Sequence, residues 1–106
     1  MKIHLIEKHD RLKRISDEEQ LWESGYWTVA IETAEELLGG DIYLHSMKAK
    51  PSKFGGVIKS YRVEDNPEFE GKIVFTFLAD IEHKNVSTAN EGWEWRKKLI
   101  GTKTYG

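Results

Sequence analysis

The 106-residue sequence contains no cysteine, which excludes disulfides and thiolate metal ligands and leaves nothing that argues for an oxidising compartment. No apolar run approaches the roughly 20 residues needed to cross a bilayer. The opening MKIHLIEKHDRLKR has too short an apolar patch, broken by His4, for a secretory signal, so a cytoplasmic protein is expected. Histidines at 4, 9, 45 and 83 lack the spacing of a zinc site. No P-loop, Rossmann fingerprint or nucleophile motif is present, and the sequence names no cofactor and no catalytic residue. Acid is missing locally as well: between Ile42 and Val63 there is no Asp or Glu.

What is there is the balance of a soluble globular chain, with 39% hydrophobic and 32% charged residues. The length suits a single domain over residues 1–106 with one modest core. The net charge of −2 conceals a separation of signs. Acids gather at Asp17, Glu18, Glu19, Glu23, Glu32, Glu35 and Glu36. Bases gather at Lys48, Lys50, Lys53, Lys59 and Arg62, and again at Arg96, Lys97 and Lys98. Such a chain can present a positive face to an anionic partner.

Alternation and turn chemistry divide the chain. Lys2 to Ile6 reads as an edge strand. Ser16 with Glu19 fits a capping box and predicts a short acidic helix over Asp17–Ser24, stopping near Gly25. Trp27 to Glu32 reads as a strand, with Trp27, Val29 and Ile31 on one face. Thr33 with Glu36 predicts a second helical segment over Ala34–Leu38, ended by Gly39-Gly40. Strands are then expected at Ile42–His45, Val57–Glu64 and, most strongly, Lys72–Glu82, whose apolar residues occupy both faces and suit a central strand or a barrel wall. Gly39-Gly40 and Gly55-Gly56 read as turn residues. Gly92 to Ile100 reads as a strand or an irregular closing segment, and Gly101 to Gly106 as a frayed tail. The expected core comprises Val29, Ile31, Leu44, Ile58, Ile73, Phe75 and Phe77. The resulting fold class is α+β: a small curved or partly closed β-barrel of five to six strands with two short helices.

At Leu37-Leu38-Gly39-Gly40-Asp41-Ile42-Tyr43-Leu44-His45, followed by Phe54-Gly55-Gly56-Val57-Ile58, the chain resembles the PUA-like superfamily, including its EVE and ASCH domains. In those domains a short helix ends in a glycine turn and a Gly-Asp step opens the next strand. The stretch YLHSMKAKPSKFGG is also similar to small bacterial and phage proteins. The resemblance implies a pseudo-barrel that binds RNA or a modified DNA base. Some ASCH-type members hydrolyse modified nucleosides, but the Gly-Lys-x-Thr step of that type reads Gly25-Tyr26-Trp27-Thr28 here and has no lysine.

Two clusters make nucleic acid, DNA or RNA, the leading expectation. Ser46, Lys48, Lys50, Ser52, Lys53 and Phe54 form a cationic loop rich in the groups that contact phosphate. Trp93 and Trp95, beside Arg96, place aromatic rings next to cations, as base stacking requires. Of these two rings, Trp93 is expected at a pocket rim and Trp95 in the packing. A concave pocket between Trp27, Tyr43, Phe54 and Trp93 would favour an unpaired or modified base. The competing class is a small protein-binding regulator or inhibitor that uses the acidic N-terminal helix as its contact face. A hydrolase acting on a modified nucleoside comes third.

Overall fold

The computed structural model describes residues 1–9 and 11–101. Its centre is the strand the alternation marks most clearly. Here β6 (Ile73–Ala79) runs between β5 (Phe54–Val63) and β3 (Leu21–Glu23), antiparallel to both. Around it β1 (Lys2–Ile6), β2 (Lys13–Ser16), β4 (Asp41–His45) and β7 (Lys97–Ile100) complete a seven-stranded sheet ordered β2-β3-β6-β5-β4-β1-β7. β1 and β4 are parallel, which needs a long crossover. The chain between them supplies it through β2, β3 and the short helix α1 (Ile31–Glu36).

Among the described residues the sheet is open, with β2 and β7 as its edges, so the expected barrel is not formed. The helix content is also lower than expected: α1 is the one α-helix among the described residues, and the class is mostly β.

One face of the sheet carries Ile3, Leu5, Ile42, Leu44, Ile58, Ile73, Phe75 and Phe77, all fully buried. Val29, Ala34 and Leu37 close over them. Ile31 does not join this core: it opens α1 and is 52% exposed. Only Trp27 of the expected Trp27–Glu32 strand pairs, in a bridge to Ile73.

The acidic helix over Asp17–Ser24 is replaced by the β2–β3 hairpin. Its cap signal is real, since the Ser16 hydroxyl accepts from the Glu19 amide at 3.3 Å. That bond closes a single turn. Gln20, at φ 54°, reverses the chain, and Leu21 and Trp22 pair with Leu78 and Phe77. A segment with two apolar residues gains more from joining the sheet than from a helix whose nucleation is costly.

The helix stop was legible: Gly39 sits at φ 80° just beyond α1. The second glycine pair is not a turn. Gly55 and Gly56 lie inside β5, where a Cβ would come within 2.2 Å of the Ile42 carbonyl oxygen and 1.9 Å of the Leu78 carbonyl oxygen. Glycine is there for backbone approach on both flanks. The expected frayed tail falls, after Gly101, outside the described residues. No described helix is long and apolar enough to cross a membrane.

Candidate nucleic-acid interface

On the face of the sheet opposite the apolar core, β1 and β4 bring buried polar groups together. The parallel register sets His4 beside Tyr43, and their rings stack with centroids 4.6 Å apart. Tyr43 is in turn stacked against His83, 5.0 Å away, and the His83 Nε2 lies 2.8 Å from the Asp41 carboxylate. His4 Nδ1 lies 2.8 Å from His45 Nε2, and His45 Nδ1 lies 2.9 Å from the Lys50 carbonyl oxygen. A carbonyl only accepts, so His45 carries its proton on Nδ1 and His4 donates to the free Nε2. Burial, then the proximity of His45, Lys98 and Lys2, pushes His4 down to about 4. Burial lowers His45 as well, partly offset by its bond to the Lys50 carbonyl. Burial, and then Asp41, raises the Tyr43 phenol. Trp93 packs edge-on against His4 and His45, with centroids at 6.4 and 5.6 Å. This cluster is a packed floor that ties the later part of the chain to the sheet.

The cationic loop divides between structural and free groups. Ser52 is buried. Its hydroxyl donates to the His83 carbonyl at 2.6 Å and accepts from the Val86 amide at 3.0 Å, clamping that segment. The Lys53 ammonium donates to the Glu7 carbonyl at 3.0 Å. Phe54 packs edge-on between Trp22 and Phe77. Lys48 and Lys50 are exposed and Ser46 is half-buried. None of these six residues lines the main cavity. The expected pocket between Trp27, Tyr43, Phe54 and Trp93 is likewise not formed: Tyr43 and Trp93 belong to the histidine cluster and Phe54 to the core side.

The main cavity, about 430 Å³, opens instead where four distant segments meet: the end of β1, residues Tyr26–Thr28, Lys72 and the turn into β7. Its volume falls within the range of small-molecule sites. Tyr26, Trp27 and Trp95 supply aromatic surface, and Lys8, Arg11, Lys72, Arg96 and Lys97 supply charge. Glu7 lies at its inner wall and is 3% exposed, its carboxylate accepting from the His9 amide at 2.8 Å. Of the nucleic-acid contacts expected from the sequence, Trp95 and Arg96 line this cavity, as do Trp27 of the expected pocket and Lys97 of the basic cluster. Trp95 stands 82% exposed at the tip of a turn closed by paired Glu94–Lys97 backbone bonds, at φ 58°, a conformation non-glycine residues adopt rarely. The Arg96 guanidinium sits 5.6 Å from its ring and hydrogen-bonds His9 Nε2 at 3.1 Å. Trp95 is therefore the rim residue and Trp93 the packing one, the reverse of the sequence expectation.

Charge pairing distinguishes this cavity from its neighbour. A second cleft, lined by Arg11, Lys13, Glu23, Tyr26, Arg62 and Glu68, has its central cation neutralised: Arg62 bonds Glu23 at 3.2 Å and also Glu64. In the main cavity none of the five Lys and Arg side chains has a carboxylate partner among the described residues. Also among the described residues, no three His, Asp or Glu side chains converge to hold a metal ion. Tyr26, Arg11, Lys8 and Lys72 carry no signal of shared purpose in the sequence beyond Tyr26-Trp27, two aromatics next to a threonine. Comparison of the chain with protein-family models, with curated proteins and with solved structures gives no match.

Proposed function

We propose that this protein binds single-stranded nucleic acid, DNA or RNA, in the main cavity. An unpaired base lies against Trp95 and Trp27, and the backbone phosphates lie on Lys8, Arg11, Lys72, Arg96 and Lys97. The observation that carries this reading is that three aromatic side chains and five cations without carboxylate partners among the described residues line one cavity, where they outnumber its two carboxylates, Glu7 and Glu94. Cations beside the exposed Trp95 ring and the half-buried Trp27 suit a ligand that is both anionic and flat, since phosphate contacts supply affinity and every base has a π-face.

Fluorescence anisotropy with a labelled single-stranded oligonucleotide tests it. Affinity should fall with salt, by a slope of about −0.7 per phosphate contact. Trp95→Ala should weaken binding by roughly 1–3 kcal/mol, and Arg96→Ala should flatten the salt slope by about one contact. Lys48→Ala and Lys50→Ala should have little effect, because neither residue reaches the cavity. Absence of binding to any DNA or RNA at about 50 mM salt, or binding indifferent to salt, would refute the proposal.

A further inference from the structure

One corner of the cavity is more specific than its overall charge. Trp27 and Ile73 exchange backbone hydrogen bonds, N to O at 3.0 and 2.8 Å, and this antiparallel bridge sets Thr28 beside Lys72. The Lys72 ammonium hydrogen-bonds the Thr28 hydroxyl. From the other side, the Lys97 ammonium reaches over from the start of β7 and donates to the Thr28 carbonyl oxygen at 2.8 Å. Two half-buried lysines thus converge on one threonine, and neither has a carboxylate partner among the described residues. Like charges gathered with no carboxylate in direct contact among the described residues repel one another, and an incoming anion relieves that cost.

If the cavity is a nucleic-acid site, as proposed above, the kind of phosphate it prefers follows from this corner. An internal phosphodiester has one charge and two free oxygens. A terminal phosphate monoester has close to two charges at neutral pH and three strong acceptor oxygens. Two ammonium groups, each with three donors, together with the Thr28 hydroxyl, match the monoester in both charge and number of partners. We infer that Lys72, Thr28 and Lys97 hold a terminal phosphate, so that the ligand is the phosphorylated end of a strand, its last base facing the adjoining Trp27 and Trp95.

The test uses four forms of one short single strand: 5′-phosphorylated, 3′-phosphorylated, phosphorylated at both ends, and with hydroxyls at both ends. One singly phosphorylated form should bind about tenfold or more tightly than the hydroxyl form, as charge-assisted hydrogen bonds allow. That form also identifies which end is bound, and the doubly phosphorylated strand should match it. The Lys72→Met/Lys97→Met double variant keeps the aliphatic stems; it should weaken binding of every strand and bring the affinity ratio between phosphorylated and hydroxyl strands to about one. Lys97→Arg should retain part of the preference. A circular dichroism melt of each variant establishes that it is folded. Equal affinity for phosphorylated and hydroxyl strands would overturn the terminal-phosphate inference and leave the nucleic-acid proposal standing. Binding of none of the four would overturn both. A preference that survives the double variant would also refute the assignment to this corner.

Discussion

Lowering the pH from about 7 to about 5 probes the buried histidine pair, because the folded state has no good place for an added proton. A proton taken up by His45 would go to Nε2, which faces the His4 N–H at 2.8 Å. A proton on His4 would add a charge at a site 2% exposed, with His45, Lys98 and Lys2 nearby. In the unfolded chain His4 titrates near 6.5, whereas in the fold it is held at about 4. Between these values the unfolded state binds more protons, so stability rises with pH across this window. The contribution is complete above about 6.5 and is lost as the pH falls toward 4, where both states become charged. Linkage sets the loss from His4 at about 2 kcal/mol by pH 5, and solvent screening at the edge of the cluster reduces this to about 1–2 kcal/mol. Out of a total of about 5–15 kcal/mol, that is readily measured. Urea denaturation at stepped pH reads it directly, and a His4→Phe variant, which keeps a ring against Tyr43, serves as the control that cancels the carboxylates. The variant should show a shallower pH slope than the parent. A His4 imidazole resonance titrating near 6.5 in the folded protein, or identical slopes for the two proteins, would refute the reasoning.

Phe75 is fully buried at the centre of β6, so Phe75→Ala should cost about 3–5 kcal/mol in urea denaturation. Gly56→Ala places a methyl 1.9 Å from a backbone oxygen of β6 and should destabilise by about 3 kcal/mol or more; a thermal melt close to that of the parent would contradict the pairing of Gly56 with Ala79. Trp95→Ala should leave the melting temperature within about two degrees, since the ring is 82% exposed. Trp93→Ala should lower it clearly, by removing an indole packed on His4 and His45.

The strands that read most clearly from residue order are those whose partners leave the local pattern undisturbed. Ile73–Ala79 and Asp41–His45 alternate as a pleated backbone requires, and Gly39, at φ 80°, supplies the left-handed residue of the turn that follows α1. The two-sided apolar content of β6 was interpretable in part: it is a central strand, with Val74 of its second face buried and Leu78 half-buried. Other signals were locally ambiguous. Ser16 and Glu19 make the same hydrogen bond at the start of a helix as in this hairpin turn. Only the pairing of Trp22 with Phe77, far along the chain, selects the hairpin. Gly55 and Gly56 carry two meanings as well, and the carbonyls of Ile42 and Leu78 decide between them. For the cationic loop, residue type was legible but orientation was not: Ser52 and Lys53 turn inward to backbone partners. The cavity lies furthest from sequence reasoning, because Glu7, Trp27, Lys72 and Trp95 reach it from four separate segments. The sequence by itself determined which segments alternate and which charges exist. Tertiary structure decided whether the sheet closed, which tryptophan faced outward and which cations have no carboxylate partner among the described residues, because each of these depends on long-range pairing that local spacing does not encode.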